Sequence, residues 1–258
     1  MSRTHDNLEE FEDPPNYDIE EAASARARIP YFVDLVTRFG GPVLELACGS
    51  GLITLPMASG CSDVTGVDLS RSMLDHARAK AARLGRSITW HETDARSLSL
   101  GRTFEVIILT GNAFQAFLTA EDQCRLLQTV RRHLSATGVF VFETRNPDGY
   151  ELIDKPLEEF WYSYQSVSGD RVRVSGTQAY DPARQLMHWT TYRRWADGPG
   201  ETVRVSRITC RFTGRRELLT LLADNGFSVS WQHGDWSGGQ LTASSANIIT
   251  GCRSDGRD

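Results

Sequence analysis

The stretch Val43-Leu44-Glu45-Leu46-Ala47-Cys48-Gly49-Ser50-Gly51 constrains this chain more than any other. A short apolar run ends on two glycines, and Leu52 to Ala58 can continue as a helix. Such a strand end lets the backbone pass close beneath a ligand, because neither glycine carries a Cβ. The helix that follows opens with unpaired N–H groups aimed at the same place. The turn is of the nucleotide-binding type. Thr54 stands where the dinucleotide fingerprint G-x-G-x-x-G needs its third glycine, which disfavours an NAD(P)-dependent oxidoreductase on the same architecture.

Two later stretches narrow the choice. Asp63-Val64-Thr65-Gly66-Val67-Asp68-Leu69-Ser70 reads as a second apolar strand with an acid at its tip. In doubly wound folds an acid there lies beside the first glycine turn and can hold both ribose hydroxyls. Asp68 also fits a helix cap, a role that Ser70 fills as well. Ile88-Thr89-Trp90-His91-Glu92-Thr93-Asp94-Ala95 is a third strand ending on an acid, suited to accept from an adenine amino group.

On these residues the chain resembles the class I S-adenosylmethionine-dependent methyltransferases. The motifs are Glu45 to Gly51 (E-L-A-C-G-S-G), Gly66 to Ser70 and Thr93 to Ala95, and the resemblance runs on through Phe104 to Leu109. It implies S-adenosyl-L-methionine as cofactor, with S-adenosyl-L-homocysteine as product. It further implies that Gly49 and Gly51 lie against the methionine part, Asp68 binds the ribose, and Asp94 with Ala95 binds adenine. Glu45, Ala47 and Ser50 in the first motif, Leu69 and Met73 after the second strand, and Arg96 after the third join that cofactor-binding set, as do Thr110, Asn112 and Phe114 after the fourth. Tyr17 either closes on the sulfonium or staples the core.

The remaining chain fits an α/β fold. Tyr17 to Phe39 is helical in spacing, with Pro30 expected to start a second helix or bend the first. Ser70 begins a helix over Arg71 to Leu84, and Gly85 sits where the left-handed residue after a helix belongs. Phe104 to Leu109 is apolar throughout, as a parallel strand covered on both faces must be. Thr119 to Asp122 resembles a capping box before the next helix, and Val139 to Phe142 is the fifth strand. The alternation predicts a parallel sheet with right-handed crossovers. From Phe160 to Phe212 the period falls to two, with turns at Ser168-Gly169-Asp170, Asp181-Pro182 and Asp197-Gly198-Pro199-Gly200. A helix over Thr213 to Asn225 and strands at Phe227 to Trp231 and Ala246 to Gly251 close the chain. The expected fold is a doubly wound, mostly parallel, seven-stranded Rossmann-like sheet with an inserted antiparallel β meander. Residues 1–16 read as a mobile lead-in, 17–149 with 213–252 as the cofactor domain, and 150–212 as an inserted substrate lid.

Ligands of such a sheet sit beyond the carboxyl ends of its strands. Glu143, after the fifth strand, can bind an amine or act as a base; equally it can pair with Arg145 or cap a loop. Glu143, His188 and His233 are the candidate catalytic residues, needed as a base only if the acceptor arrives protonated. Phe160, Trp161, Tyr164, Arg145 and Trp236 are candidate substrate-binding residues, the aromatics forming an apolar cover for a small, partly aromatic acceptor. The [D/N]-P-P-[F/Y/W] motif of nucleobase-amino methylases is absent after the fourth strand. The reaction expected is in-line methyl transfer to a small molecule, promoted by alignment and exclusion of water. A non-catalytic cofactor-binding module, or a methylase of protein or RNA, are the rival readings.

With a net charge of −5 over 258 residues, the chain has no general attraction for nucleic acid or an anionic membrane. Five scattered cysteines without a C-x-x-C pair read as reduced packing residues in a cytoplasmic protein, and no cluster has metal-ligand spacing. No stretch approaches the ~20 apolar residues that span a bilayer. The expected partner is a small molecule, with the protein a monomer or homodimer.

Overall fold

A four-residue strand, β1 (Val43–Leu46), is buried along its whole length at the middle of a seven-stranded sheet. The computed structural model describes residues 7–195 and 202–256. β1 pairs in parallel with β2 (Val64–Asp68) and β4 (Phe104–Leu109); β3 (Thr89–Glu92) lies outside β2, and β5 (Leu134–Arg145) outside β4. β11 (Asn247–Ser254) runs antiparallel between β5 and β10 (Phe227–His233), giving the order β10-β11-β5-β4-β1-β2-β3. This is the expected mostly parallel α/β sheet with an antiparallel last strand. β5 is longer than its apolar run Val139–Phe142.

Helices cover both faces. α1 (Pro14–Phe39) is capped by Asp13 and runs unbroken through Pro30, whose ring is on the exposed side. The sequence offered the start of a second helix or a bend there; a single helix spans the proline. Phe32, Leu35 and Val36 of α1 pack on Val43, Val106, Ile108, Val139 and Val141, the odd-numbered β5 positions that share a strand face. The other face packs α4 (Ala120–His133) and α5 (Arg215–Asp224) on Leu44, Ile107, Phe140 and Phe142. α2 (Thr54–Met57) is a single turn after β1, and α3 (Arg71–Arg83) follows β2. Ser70 caps α3 by accepting from Met73 N, and Thr119 caps α4 by accepting from Asp122 N.

The period-two region forms a separate antiparallel sheet in chain order, β6 (Lys155–Gln165), β7 (Arg171–Asp181), β8 (Leu186–Trp195) and β9 (Thr202–Arg211). The expected turn at Asp197 to Gly200 lies outside the described residues. In register across this sheet, Tyr162, Val174, Arg193 and Arg204 share one face, as do Gln178, Trp189 and Ile208. That inner face meets the first helix: Tyr162 and Arg193 both donate to Glu20, at 2.8 Å each. Residues 7–13, read from sequence as part of a mobile lead-in, are tied to β8 and β9. Asn7 exchanges two hydrogen bonds with Thr209, and Glu10 accepts from Arg193 and Ser206.

Candidate functional site

The tips of β1, β2 and β3 meet. After β1 the backbone turns through three left-handed residues, Ala47 (φ 50°), Gly49 (φ 54°) and Gly51 (φ 77°). Gly49 N donates to Asp68 Oδ2 at 2.7 Å, Ser70 N donates to Asp68 Oδ1 at 2.8 Å, and Thr93 N donates to Asp68 O at 3.0 Å. One residue at the β2 tip thus fastens the neighbouring loops on both sides. Burial raises the Asp68 carboxyl above its usual range, against the Ser70 and Gly49 amides that favour its charge. A carboxylate offers about four acceptor positions, so each Asp68 oxygen keeps capacity for one more donor.

Support comes from beneath. A Cβ on Gly66 would stand 2.5 Å from the Trp90 ring, and one on Gly51 would stand 3.1 Å from it. The indole therefore floors the turn, and these glycines admit it. Met73 is buried under Gly49. Glu45 is fully buried and accepts from Thr110 at 2.9 Å and from Thr54, the residue at the missing-glycine position. Burial pushes its carboxyl up to about 7, partly offset by the two hydroxyls. Leu69 is exposed at the β2 tip.

Asp94 is already engaged: Arg96 donates to it from N, Nε and Nη2, the last at 2.6 Å, and also reaches Asp122 at 2.9 Å. Desolvation opposes the charge on Asp94, but these bonds outweigh it and hold the carboxyl below its ordinary value. Ala95 is buried beside it.

Beyond β4, Asn112 adopts a left-handed conformation (φ 58°), and its buried Oδ1 has no partner among the described residues. Phe114 is fully buried on Phe142, with ring centres 4.7 Å apart, so it underpins the rim instead of lining it. Glu143 is 2% exposed and does not pair with Arg145 among the described residues. Its Oε1 accepts from Arg28 Nη1 at 3.0 Å and from Gly111 N at 2.6 Å, while Oε2 accepts from no described residue. Arg28, 6% exposed, also reaches Glu21 at 3.2 Å. Burial alone would lower its pKa, but the charge and hydrogen bond of Glu143 raise it by more, so the guanidinium stays charged. The Tyr17 hydroxyl is shifted up by burial first and then by the charge of Glu21. Its ring meets Phe11 edge-on at 5.6 Å.

The other two candidate bases are elsewhere. His188 is on the exposed face of β8, opposite Met187 and Trp189, and contacts Thr209 at 2.9 Å. Strand alternation turns it away from the sheet rim. His233 pairs across β11 with Ile249, which pairs with Glu143, so it shares Glu143's face two strands away. Its Nδ1 is 3.3 Å from Tyr31 Oη, which accepts from Trp231. Trp236 packs on Tyr31 and Phe32 of α1. Of the remaining aromatics, Phe160 is on the outer face, 56% exposed beneath Arg173, because a bulge between Phe160 and Tyr162 resets the alternation. Trp161 lies against Gly176 on the inner face, with Tyr164 two strand pairs from it beside Val172. Arg145 stands over Trp189, 5.3 Å from the ring centre.

Sequence reasoning missed Asp18, Glu20, Arg28, Trp90 and Arg193. Arg28 gave one signal: a charge within the apolar spacing Ala25, Arg28, Phe32 of α1. Asp18 accepts from Ser50 of the glycine turn, from His76 at 2.9 Å and from Lys80 at 2.6 Å, holding α1 across the turn and α3. Among the described residues no group of His, Cys, Asp and Glu is arranged for a metal, and no helix is long and apolar enough to cross a membrane.

The strand–glycine-turn tip locked to an acid on the next strand lies within residues 43–138, which match the family model described as methyltransferase domain. The chain is 31% identical over 146 residues to a cypemycin N-terminal methyltransferase from Streptomyces sp, covering 57% of each. It is 26% identical over 159 residues to a dTDP-3-amino-3,4,6-trideoxy-alpha-D-glucopyranose N,N-dimethyltransferase from Streptomyces venezuelae, covering 57% of this chain and 65% of that one. It thus spans between half and two thirds of the length of these curated relatives. Among solved structures, an S-adenosylmethionine-dependent methyltransferase from Clostridium acetobutylicum ATCC 824 superposes with a TM-score of 0.80 at 17% identity, covering 93% of this chain and 96% of that one. The CcbJ methyltransferase from Streptomyces caelestis gives 0.79 at 22%, covering 94% and 99%. Both share the fold, the second antiparallel region included in the aligned length.

Proposed function

We propose that this protein transfers a methyl group from S-adenosyl-L-methionine to an amine nitrogen of a small molecule. The residues present fit that cofactor. Asp68 has acceptor capacity left for two ribose hydroxyls, the Ala47–Gly51 turn bares its backbone, and the orphaned Asn112 Oδ1 needs a donor that a cofactor ammonium supplies. Asp94 and Ala95 stand at the adenine end, and Tyr17 with Asp18 brings α1 over the sulfonium end. When bound, the cofactor supplies an electrophilic methyl on sulfur; its products are S-adenosyl-L-homocysteine, the N-methylated acceptor and a proton.

The observation that carries the amine reading is the charge around α1. Arg28 is shared by Glu21 and Glu143, and Arg193 by Glu10 and Glu20, so each cluster has two carboxylates for one guanidinium. That excess of negative charge draws a cationic acceptor and repels an anionic nucleophile. Glu143 Oε2 orients an acceptor N–H and takes the proton of an ammonium before attack. Arg28 and Gly111 N fix Glu143 from the other oxygen, while Trp161, Tyr162 and Tyr164 on the inner face of the second sheet exclude water. Residues 150–212 serve in this reading as the acceptor-side unit and the rest as the cofactor domain. The Streptomyces venezuelae relative described above is named as an N,N-dimethyltransferase, in keeping with this reading. Incubation with methyl-labelled cofactor and a panel of small amines, phenols and carboxylates tests it by mass spectrometry. Label on nitrogen, with kcat lowered in Glu143→Gln, is expected; label on oxygen or carbon alone overturns the amine assignment.

A further inference from the structure

Arg145 is held differently from the buried arginines that pair with carboxylates. Arg28 and Arg193 each hold two acids. Arg145 pairs with none among the described residues, although it is half-buried at the end of β5. Its guanidinium carbon lies 5.3 Å from the ring centre of Trp189 on the inner sheet face, itself 9% exposed, and Nη1 also reaches Cys210 Sγ at 4.0 Å. Gln115, on the turn after β4 and 1% exposed, accepts from both Arg145 N at 3.0 Å and Arg145 Nη1 at 3.3 Å. Gln115 is in turn fixed by donating to Arg211 O at 3.2 Å. The guanidinium is thus oriented by a buried amide and an indole, with Nε and Nη2 donating to no described residue. A preset planar fork with two free N–H edges matches the geometry of a phosphate or carboxylate.

We infer that Arg145, positioned by Gln115 and Trp189, reads an anionic group on the acceptor, so that the substrate class is a small amine bearing a phosphate or carboxylate. This rests on the amine reading above. Glu143 and Arg145 are two residues apart on the same strand face, about 7 Å along the strand. The anion is therefore carried a few bonds from the amine that is methylated. The two charges also separate roles: the acidic clusters receive the cationic end, and the one unpaired guanidinium of the β5 end receives the other. Arg211, beside it, is already committed to Glu217 at 2.5 Å and Gln123 at 2.9 Å.

The test uses the full chain saturated with S-adenosyl-L-homocysteine. Inorganic phosphate and pyrophosphate are titrated into wild type, Arg145→Gln and Gln115→Leu by calorimetry, with circular dichroism as a check on folding. Wild type binds, and Arg145→Gln loses about tenfold to a hundredfold in affinity, the range for charge-assisted hydrogen bonds. Gln115→Leu keeps the charge and loses its orientation, so it binds more weakly than wild type and more tightly than Arg145→Gln. Matched acceptors form the second arm: ethanolamine against phosphoethanolamine, and glucosamine against glucosamine 6-phosphate. Wild type has the higher kcat/KM for the anionic member through KM, and Arg145→Gln abolishes that preference. Equal titrations of wild type and Arg145→Gln, or equal kcat/KM within each pair, overturn the anion assignment while the amine reading stands. Anion binding lost in Arg145→Gln without methylation of any amine supports Arg145 as an anion reader and overturns the amine reading instead.

Discussion

Glu45 offers a prediction with a worked magnitude. Its carboxyl is sealed beneath the glycine turn, with hydroxyls from Thr54 and Thr110 as its only side-chain hydrogen-bond partners among the described residues. Burial moves it from an ordinary 4.5 up to about 7. The native state therefore binds this proton more tightly than the unfolded chain does, and native stability falls as pH rises between those two values. At about 1.4 kcal/mol per pH unit, the gap is worth about 3 kcal/mol. The stabilisation is full below 4.5 and gone above 7. Glu45→Gln keeps the shape and a hydrogen-bonding head but cannot ionise. Urea unfolding of both proteins, followed by circular dichroism from pH 4.5 to 8, isolates the effect, because all other titrations cancel in the difference. Wild type should match or exceed the variant near pH 4.5 and lose about 3 kcal/mol relative to it by pH 8. A difference that stays flat across that range refutes the burial argument for Glu45.

Other outcomes follow from the same contacts. Arg28→Met strips the buried Glu143 of its counter-charge and should cost about 3–5 kcal/mol, read as a lower urea midpoint; Arg28→Met combined with Glu143→Leu should recover much of that loss. Gly66→Ala drives a methyl into the Trp90 ring and should cost about 1–3 kcal/mol, with the indole fluorescence shifted; an unchanged melting curve would show that Trp90 is not the floor of the turn. Asp18→Asn releases α1 from Lys80 and His76 and should raise the dissociation rate of S-adenosyl-L-homocysteine, measured by stopped-flow displacement, more than it changes the association rate. An unaltered dissociation rate would mean that α1 does not retain the ligand.

What the sequence made legible was local. The β1 turn, the acid at the β2 tip and the caps Ser70 and Thr119 are each written within a few residues, because glycines, acids and capping side chains act on their own neighbours. The antiparallel sheet was equally plain from its period of two. The contacts that build the rim above β5 join distant parts of the chain. Arg28 and Glu143 are 115 residues apart, and Glu20 and Arg193 are 173 apart, so no window contains both. The inner face of the second sheet was hidden for another reason. A bulge after Phe160 puts Trp161 and Tyr162 toward α1 and leaves Phe160 outside, and alternation counted from sequence alone cannot place that extra residue. Pro30 was read as the start of a second helix or a bend because an internal proline removes a backbone hydrogen bond; its exposed position on α1 lets one helix continue through it.

Isothermal titration with S-adenosyl-L-homocysteine tests most directly that the tips of β1, β2 and β3 hold an adenosyl ligand. Wild type should bind it, and Asp68→Ala, verified as folded, should bind about tenfold to a hundredfold more weakly through loss of the charged acceptor. No heat with wild type at high protein concentration, or equal affinity in the folded variant, would contradict the account.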